Sequence, residues 1–217
     1  MINKGWNWSL TNEDVWLKPS EESIVMLYRW SSQGFNKILD IGCGKGRHTL
    51  LFAKNSFAVS GIDVSESAVE STVNLLLENG INCEIKQADM RSIPFETGMF
   101  DAVFSYLTIS HTNTKGVEDT LKEIVRVLKP NGEVFFNINS SESGSFKSKK
   151  YPLIDDNTII KTKAGPEEGE PHFYATEEIL YKFLEPFDII WMNHTNNLYH
   201  NGKKNGSWDY YVLAKKK

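Results

Sequence analysis

A run of nine residues, Ile38-Leu39-Asp40-Ile41-Gly42-Cys43-Gly44-Lys45-Gly46, constrains this chain more than any other stretch. An apolar strand carrying one acid stops at three glycines spaced two apart. Glycine tolerates left-handed backbone and lets another group come close, so the segment reads as strand, tight turn, helix. In open α/β sheets such a turn lies outside the carboxyl ends of the strands, where ligands bind. A dinucleotide turn would need Gly-x-Gly-x-x-Gly, and the sixth position counted from Gly42 is Arg47, so that fingerprint fails. Asp40, two residues before the first glycine, suits a cationic or amino-bearing ligand better than a pyrophosphate.

The rest of the chain continues the alternation of strand and helix that builds a parallel sheet. The pattern predicts strands at Lys37–Ile41, Ala58–Ile62, Cys83–Gln87, Phe100–Ser105 and Glu133–Ile138. Helices are expected from Arg47 to Lys54 and, capped by Ser65, through Glu78 before Asn79-Gly80. In a further helix Val117, Leu121, Ile124, Val125 and Leu128 share one face, and Lys129-Pro130-Asn131-Gly132 ends it. A polar stretch from Asn139 to His172 is too long for a plain connection and reads as an insertion. A short helix over Thr176–Leu184 follows, opened by Pro171-His172-Phe173-Tyr174. Phe187–Met192 and Asp209–Ala214 look like closing strands joined by the turn-rich Asn201–Ser207. Ahead of the sheet, Met1–Gln33 holds four tryptophans and a helix beginning near Ser20, so it should cover the ligand edge or pack on the flank. One domain is expected over 1–217, divided into a cap segment (1–35), a ligand-binding core (36–139), an insertion or lid (140–176) and a closing part (177–217).

Two further acids stand at strand ends. Asp63 closes the second strand about 20 residues past the turn, where a carboxylate can accept hydrogen bonds from ribose hydroxyls. Gln87-Ala88-Asp89-Met90 follows the third, where a carboxylate can accept from an adenine amino group and a methionine can pack on the ring. Asp89 also suits a plain turn cap.

Together with Phe100-Asp-Ala-Val-Phe-Ser105 and Arg126-Val-Leu-Lys-Pro-Asn-Gly132, these segments resemble the successive motifs of class I S-adenosylmethionine-dependent methyltransferases, chiefly the small-molecule branch labelled type 11 or type 12. The likeness covers about residues 36–139. It implies a Rossmann-like, doubly wound, mostly parallel seven-stranded α/β sheet in the order 3-2-1-4-5-7-6, with strand 7 antiparallel and an N-terminal helical cap. It implies S-adenosylmethionine as cofactor, held by Asp40, Gly42, Cys43, Gly44, Gly46, Asp63, Val64, Asp89, Met90 and Ser105. Asp40 and the glycine turn would take the methionine end, Asp63 the ribose and Asp89 the adenine. A nucleotide-binding domain without chemistry is the bland alternative, since fold alone does not fix function.

Acceptor-facing groups in this branch follow the fourth strand, here Ser105-Tyr106-Leu107-Thr108-Ile109-Ser110-His111. The Asn/Asp-Pro-Pro-Tyr motif of amino methylation and the Pro-Cys nucleophile of pyrimidine carbon methylation are both missing. His111 is the first candidate for a proton-handling role, because imidazole titrates near neutrality; otherwise it bonds locally at a helix start. Tyr106, His172 and Tyr174 are further candidates for contact with the acceptor, or else wall, lid and packing residues. Arg47 and His48 follow the turn, and Trp6, Trp8 and Trp16 could cap the pocket.

The net charge of −4 gives no electrostatic reason to expect nucleic acid. Cys43 and Cys83 do not form a metal-ligand spacing, and no metal is expected. Met1–Leu10 has no apolar run and no stretch reaches the length of a membrane span, so a cytoplasmic location is expected. The expected partner is a small-molecule methyl acceptor; a protein or RNA acceptor, or binding without turnover, are the competing readings.

Overall fold

In the computed structural model, which describes residues 6, 8–11, 14–200 and 203–217, every strand expected from the first half of the sequence pairs into one sheet. Strands β1 (Lys37–Ile41), β2 (Ala58–Asp63), β3 (Glu84–Gln87), β4 (Phe100–Ser105) and β5 (Leu128–Asn139) run parallel. The closing strands β9 (Phe187–His200) and β10 (Lys203–Lys216) complete the order β3-β2-β1-β4-β5-β10-β9, with β10 antiparallel to both neighbours. This is the expected 3-2-1-4-5-7-6 arrangement.

Period-two alternation explains how the sheet holds helices on both faces. Leu39, Ile41, Val103, Val134 and Phe136 point to one side, into a core shared with Val117, Leu121 and Ile124 of α4 (Thr114–Val127). Ile38, Ala102, Phe104 and Phe135 point to the other. There they meet Phe52 of α2 (Arg47–Lys54) and Met26 and Trp30 of α1 (Glu21–Ser32). Helix α3 (Glu66–Glu78) bridges β2 and β3. Each fully buried aromatic contributes about 1.5–3 kcal/mol of transfer free energy.

Caps fix several boundaries. Ser20 accepts from the Ser23 N–H at the start of α1, Asn113 from Gly116 at α4, and Thr176 from Ile179 at α6 (Glu177–Phe183). The Ser65 side chain does not cap α3; its hydroxyl meets that of Ser67 instead. Glu133 at the bend of β5 is buried and accepts from Arg29 Nε and Nη2, Trp30 Nε1 and Gln33 Nε2, which pins α1 to the sheet.

Three expectations need correction. The insertion, for which the sequence suggested no strands, forms after α5 (Gly144–Lys147) a small antiparallel sheet of β6 (Leu153–Asp155), β7 (Thr158–Ile160) and β8 (Pro171–Phe173). Pro171-His172-Phe173 is therefore a strand and not the opening of α6; a proline fits there because β8 is an edge strand. The closing strands are 14 residues each, not short strands with a long joining loop. Asn201 and Gly202, like Met1–Gly5, Asn7, Asn12 and Glu13 of the cap segment, lie outside the described residues. Among the described residues no helix is long and apolar enough to cross a membrane.

Candidate active site

The carboxyl ends of β1, β2, β4 and β5 open into one cleft with a cavity volume of about 210 Å³.

One end of the cleft is built by the glycine turn. Gly42 has φ +72°, and a Cβ there would lie 2.1 Å from Thr108 Oγ1, so the turn after β1 and the loop after β4 fit together only because residue 42 is glycine. The Gly42 and Cys43 N–H groups both donate to the Ile62 carbonyl, at 2.8 and 3.0 Å. The Gly44 N–H donates to Asp63 Oδ2 at 3.0 Å, and the Ser65 N–H to Asp63 Oδ1 at 2.9 Å. Burial raises the pKa of Asp63 above its ordinary value, and these backbone donors offset only part of the rise.

Gly42, Cys43, Gly44, Asp63, Val64, Asp89 and Met90 all line the cleft. Asp89 is not a bare acceptor: Arg91 Nε lies 2.9 Å from Oδ1 and 3.1 Å from Oδ2, and the Arg91 N–H caps Oδ1 at 2.8 Å. That pairing holds its pKa below the ordinary carboxylate value. Three expected cofactor residues stand behind the wall. Asp40 is 1% exposed and accepts from Thr49 Oγ1 at 2.6 Å; burial lifts its pKa to about 6. Ser105 Oγ donates to the Ile41 carbonyl. Gly46 is the N-cap of α2, set against Thr72.

The roof is aromatic. Trp6, Trp8 and Trp16 form a triangle with ring centroids 5.4–6.1 Å apart. Trp6 Nε1 donates to Thr11 Oγ1, and Lys45 Nζ donates to the Thr11 carbonyl. Arg47 sits between the faces of Trp16 and Tyr106, 5.3 and 5.6 Å from their centroids. His48 accepts the Ser20 N–H on Nε2, so its proton lies on Nδ1; burial, then Arg47, pushes its pKa well down. It ties α1 to the turn, which is a structural duty. Both alternatives for the N-terminal segment hold: its tryptophans cover the cleft and its helix packs on the flank.

The far end brings two distant histidines together. His111 from the loop after β4 and His172 from β8 lie 4.5 Å apart, ring centroid to centroid. Burial, then His172, drives the His111 pKa down to about 3, so that ring is neutral. Glu167 Oε1 lies 3.2 Å from His172 Nε2. Burial opposes ionisation of Glu167, yet His172 and Lys161 outweigh it and hold the carboxyl at about 2. Tyr106 lines the cleft, and burial raises its phenol far above the usual value. Tyr174 does not line it: its hydroxyl pairs with Ser145 and its ring lies against Phe146.

Glu167, Asn137, Asn139 and Ser110 also line the cleft and were not singled out from the sequence. The asparagines carried a signal, since they interrupt the apolar alternation of β5 at its carboxyl end. Asn137 Oδ1 accepts the Leu107 N–H at 2.6 Å and so shapes the loop that carries His111. Glu167, within Pro166-Glu-Glu-Gly169, carried none.

Residues 38–132 match the model of the family described as "Methyltransferase domain". The chain is 31% identical over 121 residues to the ubiquinone/menaquinone biosynthesis C-methyltransferase UbiE of Azotobacter vinelandii, covering 54% of this chain and 47% of that one. It spans about half the length of the curated relatives it matches. Among solved structures, a SAM-dependent methyltransferase from Methanosarcina mazei superposes with TM-score 0.71 at 23% identity, covering 83% and 92% of the two chains. The 1,6-didemethyltoxoflavin-N1-methyltransferase of Burkholderia thailandensis, solved with 1,6-didemethyltoxoflavin and S-adenosylhomocysteine, superposes with TM-score 0.67 at 18% identity, covering 94% and 81%.

Proposed function

We propose, from the premise that residues 38–132 form a domain of the class I S-adenosylmethionine-dependent methyltransferase family, that this chain transfers a methyl group to a small-molecule acceptor at oxygen, nitrogen or sulfur. The observation that carries this reading is the single cleft joining the Gly42–Asp63 end to the His111–His172 end. A donor in the first and an acceptor in the second meet near Thr108.

The residues present fit the donor. Two acids at strand ends suit hydroxyl and amino donors. The two cations nearest the turn are directed elsewhere, Lys45 to the Thr11 carbonyl and Arg47 to two aromatic faces, so nothing there is arranged to grip a diphosphate. Asp63 takes the ribose hydroxyls and Asp89, steadied by Arg91, the adenine amino group. Met90 and Val64 pack on the base, and the Gly42–Gly44 backbone with Cys43 faces the methionyl part. Asp40 adds negative potential from behind the turn, with Gly46 and Ser105 holding the turn's shape. When bound, S-adenosylmethionine supplies a methyl carbon on a positively charged sulfur, which the acceptor attacks in line with the breaking carbon–sulfur bond.

The chain's own work is alignment, worth up to about 7–11 kcal/mol of a barrier, exclusion of water by the tryptophan roof, and handling of any acceptor proton. His172, with Glu167 beside it, faces the acceptor end of the cleft and contacts the acceptor. His111, kept neutral by burial, orients the acceptor. Tyr106 forms the wall beside the reacting atoms, and Tyr174 supports β8 from behind.

Titration calorimetry tests the reading. Micromolar binding of S-adenosylmethionine and S-adenosylhomocysteine is expected, and none of NAD; the reverse order of affinities defeats it.

A further inference from the structure

We propose that His111, Glu167 and His172 are the ligands of a divalent transition-metal ion of the zinc class, bound with an open position facing the cleft. One ligand atom from each residue lies within 4.8 Å of the other two. His172 Nε2 and Glu167 Oε1 are 3.2 Å apart. Ligands at about 2.0–2.2 Å from a tetrahedral zinc ion are separated by about 3.3–3.6 Å, so this edge of the site is nearly formed. Two imidazoles and one carboxylate with the fourth position vacant is the donor set of many catalytic zinc sites.

The tautomers point the same way. His172 Nδ1 lies 3.2 Å from the Glu170 carbonyl, which can only accept, so Nδ1 donates there and leaves Nε2 to face Glu167 and the cleft. Among the described residues that buried atom has no well-aligned hydrogen bond, although Glu167 Oε1 is within 3.2 Å. With Nδ1 so committed, Nε2 and the Glu167 carboxylate can be bridged by a metal ion in place of a proton. His172 thus donates one ring N–H to a carbonyl. Metal-bound imidazoles commonly donate their other N–H in this way. The two histidines are held in register by the Phe173 N–H, which donates to the Ser110 carbonyl at 2.8 Å.

Charge then specifies the fourth ligand. Lys161 Nζ lies 3.6 Å from Glu167 Oε2 and offsets that carboxylate, leaving Oε1 for the ion. Imidazoles bind a metal as neutral ligands, so the ion's two charges are uncompensated and call for an anionic ligand, an alkoxide, phenolate or thiolate. This last step rests on the methyl-transfer reading: the acceptor would lose its proton to water on binding the ion, and its oxygen or sulfur lone pair would form the bond to the methyl carbon. The carbon–sulfur bond would break with both electrons going to sulfur. The metal site itself does not depend on that reading.

The test is equilibrium dialysis of the full chain, first stripped with a chelator, against Zn²⁺ and Co²⁺, with metal content and the visible spectrum of the cobalt form as readouts. One equivalent of tightly held metal is expected, with the intense absorption of low-coordinate cobalt. His172→Ala and Glu167→Gln should each weaken uptake by at least about tenfold, whereas His194→Ala, whose ring stacks on Tyr210, should not. Glu167→Gln keeps the side-chain shape, so it decides the matter even where His172→Ala fails to fold. Absence of stoichiometric uptake, or uptake unchanged in Glu167→Gln, overturns the proposal. Calorimetry with S-adenosylhomocysteine on the same samples separates the two readings: nucleoside binding without metal removes only the ion, and metal binding without nucleoside removes only the methyl-transfer reading.

Discussion

The Trp8 indole rests on Gly44, where a Cβ would lie 2.7 Å from Cζ2 and 2.9 Å from Cη2. Gly44 also has φ +56°, so an L side chain there is strained as well as crowded. Gly44→Ala should lift the roof from the turn, lower stability by about 1–2 kcal/mol and weaken S-adenosylhomocysteine binding. Urea denaturation with tryptophan emission, next to calorimetry, measures both; an unchanged emission maximum would contradict the packing.

Asp63 links the turn to the next strand by accepting from Gly44 and Ser65. Loss of charge-assisted hydrogen bonds to ribose costs about 1.5–3 kcal/mol, so Asp63→Ala should bind S-adenosylhomocysteine about 10–100-fold more weakly. Affinity equal to that of the parent chain would refute the ribose assignment.

Asp40 titrates in the opposite sense from most carboxylates. Its pKa is raised by burial from 3.8 to about 6, so the folded chain holds its proton where the unfolded chain has lost it. Stability from this group therefore falls as pH rises from about 4 to about 6, by up to about 3 kcal/mol. Asp40→Asn should flatten that decline and melt higher at pH 7, yet bind the nucleoside less well. Thermal melts at pH 5 and pH 7, compared with calorimetry, check the trade; a variant that melts lower at pH 7 and binds normally would disprove it.

Glu133 behaves in the usual way. Burial alone would raise its pKa, but Arg29, Gln33 and Trp30 hold it below its ordinary 4.5. Its stabilisation is present at neutral pH and lost as pH falls below about 4.5. Removing one partner of such a buried pair costs about 3–5 kcal/mol, so Glu133→Ala should show a loss of that size at pH 7 and a smaller one at pH 4. Chemical denaturation at both pH values gives the comparison, and a pH-independent loss would mean that the pair is not the cause.

The strand and helix boundaries from Lys37 to Ser105 were legible because each element is long enough for its period to show and each is punctuated by Gly, Asn or a cap. The strands β6, β7 and β8 have three residues apiece, too few to display alternation. In β9 the run Asn193-His194-Thr195-Asn196-Asn197 is polar on both faces, so only pairing with β10 reveals it as strand. The acids of the turn could be found by spacing, but spacing does not tell that Asp40 lies behind the wall or that Arg91 grips Asp89. His111 and Glu167 are 56 positions apart, and only the fold of the insertion places them within a few ångströms.

The Phe173–Ser110 bond joins two parts of the chain with different obligations. The proposed nucleoside grip is drawn from strand ends that the whole sheet depends on, whereas His172 and Glu167 arrive on an excursion hung between β5 and α6. On the proposed reading a lineage can therefore rewrite that excursion, and with it the molecule received, while inheriting the strand ends intact.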